Sequence, residues 1–112
     1  MSQILSEAEA EMSALCDTVR RFILNGDFIE CEMTIAETMG RRPHAPQPHN
    51  LMGVLFEVMG DHAAAMKHFR AAWSLDPTFI PARHNLDSLA SFSAGKRLAF
   101  DEKDLLEEGG IV

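Results

Sequence analysis

Residues 46–79, PQPHNLMGVLFEVMGDHAAAMKHFRAAWSLDPTF, decide how the chain is read. Apolar residues recur at helical spacing on both sides of Gly60-Asp61, so the stretch reads as two short helices around a tight turn. Gly53 falls inside the first helix, where glycine costs about 1 kcal/mol relative to alanine. Close approach of the partner helix offsets that cost, because a residue without Cβ leaves room for it. Ala65 and Ala72 flank Phe69 on one face of the second helix, a small–large–small pattern suited to interlocking. Asp61 is placed to cap the second helix. Pro77 stops it, since proline cannot donate to the preceding turn.

The pattern recurs along the chain. Gly26-Asp27 and Gly60-Asp61 stand 34 residues apart, and so do Pro43 and Pro77. Cys31 and Ile35 occupy the places of Ala65 and Phe69, and Val19 and Phe22 those of Gly53 and Phe56. The same step carries Met52 onto Leu86 and Phe56 onto Ala90. A third first-helix therefore begins near Ile80, with no clear second helix after it.

These residues resemble the tetratricopeptide repeat (TPR), a 34-residue helix–turn–helix with the signature W-x2-L-G-x2-Y…A-x3-F…P. His49 stands at the aromatic position, Met52 at the leucine and Phe56 at the tyrosine, while Gly53, Ala65, Phe69 and Pro77 match outright. The likeness covers Met12 to Phe92. It implies an all-α fold of antiparallel helix–turn–helix repeats stacked as a short right-handed solenoid. Residues 1–93 would form the repeat domain and residues 94–112 a capping or assembly tail.

Taken in order, the first helix is expected from about Ile4 to Leu24. Ser6 with Glu9 suits a capping box, and Glu7, Glu9 and Glu11 read as a solvated face favoured by the helix dipole. Asp27 with Glu30 offers a second capping box, and Gly40 an end to the second helix. Prolines 43, 46 and 48 lead into the third helix, where such residues are tolerated. Trp73 is expected to pack on the next first-helix. Thr78 is expected to cap the fifth helix, with Pro81 in its first turn, and Leu86, Leu89 and Ala90 to carry its apolar face to about Phe92. A short sixth helix is expected near Glu102–Glu108.

Composition narrows the function. A net charge of −7 without a basic cluster argues against nucleic-acid binding. Cys16 and Cys31 are too few for a disulfide framework and lie on apolar helical faces pointing apart, so no disulfide is expected. The sequence shows neither a positively charged leader at Met1 nor an apolar run of spanning length, which leads us to expect a cytoplasmic protein that does not enter the membrane. His44, His49, His62, His68 and His84 lack zinc-site spacing, so no metal or other cofactor is expected. A nucleophile pairing Cys16 with His84 would lack an orienting third group and an oxyanion turn, and no P-loop or paired-carboxylate motif is present. A non-enzyme is expected.

The resemblance implies binding instead. In this family the first helices of successive repeats line a groove that holds an extended peptide or a partner helix. Carried over at the 34-residue step, that groove comprises Cys16 and Arg20, then Asn50, Val54 and Glu57, then His84 and Ser88. Some members grip a C-terminal carboxylate of chaperone tails with a lysine/asparagine/arginine clamp. The matching positions are Cys16, Arg20, Leu51, Pro81 and Asn85, of which only Arg20 and Asn85 carry suitable chemistry. The expectation is an adaptor or co-chaperone that binds a protein or peptide partner. The alternatives are a homodimer formed through the C-terminal end and, further off, a Cys/His-dependent enzyme. Residues Leu98 to Glu108 are expected to fold back over the fifth helix, or into a neighbour's groove near Arg20 and His84.

Overall fold

A computed structural model of the chain describes residues 5–90 and 97–106. Among these residues the secondary structure is entirely helical: α1 (Glu7–Asn25), α2 (Phe28–Arg41), α3 (Pro46–Val58), α4 (His62–Leu75), α5 (Ile80–Ala90) and a single turn, α6 (Lys103–Leu106). Consecutive helices pack on one another from α1 to α5, and α1 also packs on α3. No helix among the described residues is long and apolar enough to cross a membrane.

The 34-residue spacing is also a spacing of hydrogen bonds. Helices α2 and α4 both run for 14 residues and start 34 apart, and the starts of α3 and α5 are also 34 apart. Helix α1 ends at Gly26 with φ 77°, and the turn after α3 is made by Gly60 with φ 89°. Backbone in this left-handed region is costly for any residue with a Cβ. Past each glycine an aspartate N–H reaches back across the helix end: Asp27 to the Phe22 carbonyl and Asp61 to the Phe56 carbonyl, both at 2.8 Å. Each closure satisfies carbonyls that the last helical turn leaves without partners.

Helix α3 is the centre of the core. Pro46, Pro48 and every residue from Asn50 to Leu55 are buried, so this helix has no solvated face along that run. A Cβ on Gly53 would stand 2.5 Å from Cε1 of Phe69, itself fully buried on α4. The close approach expected from the glycine is therefore present. Cys31 and Ile35 of α2, the counterparts of Ala65 and Phe69, are likewise completely buried.

Local differences from the sequence reading have identifiable causes. Helix α1 begins at Glu7, where Ser6 and Glu9 exchange the two capping-box hydrogen bonds; Ile4 lies outside the described residues. Asp61 caps α4 through the Ala64 N–H, but Asp27 makes no such bond to α2. Their backbone angles are nearly the same, so the difference lies in the Asp27 rotamer. Gly40 does not end α2. The helix runs on to Arg41, which is held by Glu37 at 2.6 Å and Glu11 at 2.8 Å.

At the next junction, α5 starts at Ile80, so Thr78 is not the residue that directly precedes it; its hydroxyl and N–H both donate to Asp76 Oδ1 in a local turn. Trp73 remains 39% exposed, and its contact with α5 is the Arg83 guanidinium 5.6 Å above the ring. Phe92 and the residues after Leu106 are outside the described part, so the far ends expected for the fifth and sixth helices are too.

Candidate functional site

Helices α1, α3 and α5 share a face on which the tail from Arg97 to Leu106 lies. Leu98, Ala99 and Phe100 are buried there, with Leu98 and Phe100 in the same apolar cluster as Leu15, Cys16, Leu51 and Phe69. The first three tail residues are not helical, so their backbone N–H and C=O groups need partners from elsewhere.

Two fully buried asparagines supply them. Asn85 Nδ2 donates to the Ala99 carbonyl at 2.8 Å, and the Ala99 N–H donates back to Asn85 Oδ1 at 2.7 Å. Asn50 Nδ2 donates to the carbonyls of Ala99 and Phe100 at 3.0 and 3.2 Å. The asparagines are joined by Asn85 Nδ2 donating to Asn50 Oδ1 at 2.9 Å. All four amide hydrogens are used and both oxygens accept, so burial leaves no donor stranded. Every bond to the tail goes to its main chain. The clamp therefore holds a peptide backbone and reads no side chain directly, although it leaves no exposed surface on Ala99.

Side-chain recognition falls to Arg20. Its Nη2 bonds both oxygens of Asp104 at 2.9 and 3.1 Å and reaches Asp101 Oδ1 at 3.5 Å. The guanidinium also lies 4.5 Å from the Phe100 ring centroid, a cation–π distance. Burial works against the Arg20 charge, but the Asp104 hydrogen bond and neighbouring groups outweigh it and hold its pKa above the usual value. Asp104 is nearly inaccessible and also accepts the Phe100 N–H at 2.7 Å, so the acidic turn and the buried strip brace each other. His84 adds a contact from its Nε2 to the Arg97 carbonyl at 2.9 Å.

Of the groove residues expected from the repeat, the structure brings Cys16, Arg20, Asn50 and His84 around the tail. Val54 is fully buried in the helical core, and Ser88 is buried on α5. Glu57 lies near the end of α3, 3.3 Å from His62. Asn85 enters the sequence reading only as a carboxylate-clamp position, yet it makes three bonds here, donating to Asn50 Oδ1 and the Ala99 carbonyl and accepting the Ala99 N–H. Asp101 and Asp104 lie in the tail expected to fold back, and no partner is assigned to either from the sequence. Among the described residues no group of three or more His, Cys, Asp or Glu is placed to hold a metal ion.

Comparison with protein-family models, with curated proteins and with solved structures finds no match to this chain. The site has to be interpreted from its own geometry.

Cys16 and Cys31 are free, buried thiols. Burial, then the Asp101 carboxylate, pushes Cys16 up to about 12, and burial with Glu32 pushes Cys31 up to about 11. A thiol so shifted is protonated at neutral pH, the reverse of an activated nucleophile. We predict that neither cysteine reacts appreciably with a soluble thiol reagent until the chain unfolds. Rapid labelling of Cys16 in the native protein would show that the tail leaves its seat readily.

A second polar feature lies between α3 and α4. His49 stacks on His68 with ring centroids 5.7 Å apart, and His68 stacks on Phe56 at 5.5 Å. Burial holds both imidazoles below their usual pKa of 6.5; His49 adds to the effect on His68, while Glu32 opposes it. The folded state thus resists protons that the unfolded chain accepts. The associated stability is present above the ordinary histidine range and is lost as pH falls through it. Melting temperature should therefore drop between about pH 7.5 and about pH 5.5, the interval around an unshifted histidine. In a His49→Phe/His68→Phe double variant that drop should shrink; an unchanged pH profile would remove these residues as its source.

Proposed function

We propose that the chain is a non-enzymatic protein-interaction module of TPR type, a short right-handed stack of helical hairpins that holds a segment of a partner protein. An adaptor or co-chaperone works in this way. The observation that carries the reading is the Asn50–Asn85 clamp, which spans two helices and grips the main chain of a non-helical segment. Buried asparagines are costly unless their amides are satisfied. Here a peptide backbone satisfies them, which is the chemistry expected of a peptide groove. The repeated glycine turns and the Gly53–Phe69 contact support the helical-repeat part of the reading.

The test uses the full chain carrying Ala99→Arg, a side chain too large for the enclosed seat, so that the tail is displaced. This protein is screened against an array of ten-residue peptides. Binding of a subset, abolished by adding Asn50→Ala and Asn85→Ala, is the expected result. An array without binders, or binding indifferent to both asparagines, would sink the proposal.

A further inference from the structure

The tail fits its groove strictly at some points and incompletely at others. Ala99 has no exposed surface and is held on both sides of its peptide unit by Asn85. A larger side chain there has nowhere to go. Phe100 is buried, but beside it lies an open cleft of about 260 Å3, lined by the apolar Met12, Cys16, Leu51 and Phe79 and by the polar Glu9 and Lys103. Arg20 directs its Nη2 at two carboxylates, while its buried Nη1 finds no hydrogen-bond partner among the described residues. The groove therefore offers an aromatic site larger than phenylalanine needs and a guanidinium with a donor to spare.

Resting on the peptide-groove reading, we infer that the partner's ligand is a peptide with a small residue, then a large aromatic one, then two carboxylates three residues apart, and that the chain's own tail is a weaker copy which occupies the site until such a peptide displaces it. The tail holds its place through linkage. A segment tethered to its site by a short linker has an effective concentration of about 1 mM. If its intrinsic Kd is about 10 μM, it occupies the groove about 99% of the time and raises the apparent Kd of a competitor about 100-fold. A partner peptide prevails by using what the tail leaves unused, namely the cleft beside Phe100 and the Arg20 Nη1.

The experiment measures fluorescence anisotropy of labelled peptides on two full-length proteins, the parent and an Asp101→Asn/Asp104→Asn variant. The reference peptide has the sequence of residues 97–106. It should bind the variant at least about tenfold more tightly than the parent, because the variant's own tail has lost its hold on Arg20. A Phe100→Trp peptide should bind both proteins more tightly than the reference. Peptides with Ala99→Leu, or with Asp101→Lys and Asp104→Lys, should each lose at least about tenfold, in line with losing a central contact. The lysine peptide should regain binding on a chain carrying Arg20→Glu.

If the altered peptides bind as well as the reference, the ligand class is wrong while the groove stands. If no peptide binds a variant whose Ala99 amide exchanges rapidly with solvent, the tail is out and the groove reading itself fails. Slow Ala99 exchange in the variant would show that the carboxylates do not hold the tail. A variant that becomes dimeric by light scattering would make a second copy, rather than a partner peptide, the groove's occupant.

Discussion

Gly53→Leu is expected to lower the melting temperature by about 12–24 °C, the equivalent of about 3 kcal/mol in a domain of this size. The substitution has a local benefit, because leucine is a better helix former than glycine by nearly 1 kcal/mol. Packing outweighs it. The first added atom would meet three carbons of the Phe69 ring at 2.5–2.9 Å, and that ring has no exposed surface into which to retreat. Gly40→Ala supplies the control, since a Cβ at that position meets nothing within 4 Å and α2 is already helical there. It should stabilise by about 0.4–1 kcal/mol. Circular-dichroism melts of both variants decide the matter; equal stability of Gly53→Leu and parent would mean that the α3–α4 contact is looser than described.

The second large effect concerns Arg20. Removing one partner of a buried ion pair costs about 3–5 kcal/mol when the other is left uncompensated. Asp104 would be left so in Arg20→Ala, being only 3% exposed at its side chain. Arg20 is itself partly solvated, which lowers the figure, and the tail has an escape that a core residue lacks. It can detach and hydrate its carboxylates. The loss is therefore capped by the free energy of docking the tail, which truncation after Arg97 measures directly. Truncation should lower stability and leave the association state in solution unchanged. Introduced into the truncated chain, Arg20→Ala should cost less than about 0.5 kcal/mol, as expected of an exposed side chain. Additive losses in a double-mutant cycle would show that Arg20 stabilises the helices independently of the tail.

Features that recur at a fixed step were legible in the sequence. Gly26 and Gly60 could be placed because a left-handed turn has few alternatives to glycine, and Arg20, Asn50 and His84 because one helical face follows from spacing. Local capping was less legible. Asp27 and Asp61 each follow a glycine and have nearly the same backbone, yet only Asp61 caps, because a rotamer is not written in a period. Val54 was assigned to the groove by spacing, but α3 is enclosed by its neighbours and that residue is absorbed by the core. Least legible were the long-range pairings. Arg20 and Asp104 are separated by 84 residues and Asn50 from Ala99 by 49, and neither distance is a multiple of the repeat. The tail was expected to fold back, but nothing in its residues showed by which atoms it would be held.

The position of the tail in the chain has a consequence for biogenesis. Synthesis proceeds from the N-terminus, so the segment that satisfies Asn50, Asn85 and Arg20 is made after all three. Burying those amides and that guanidinium is costly until partners for them exist. Water therefore serves them until residues 98–104 are available, and closure of this face should be a late step in the folding of the chain.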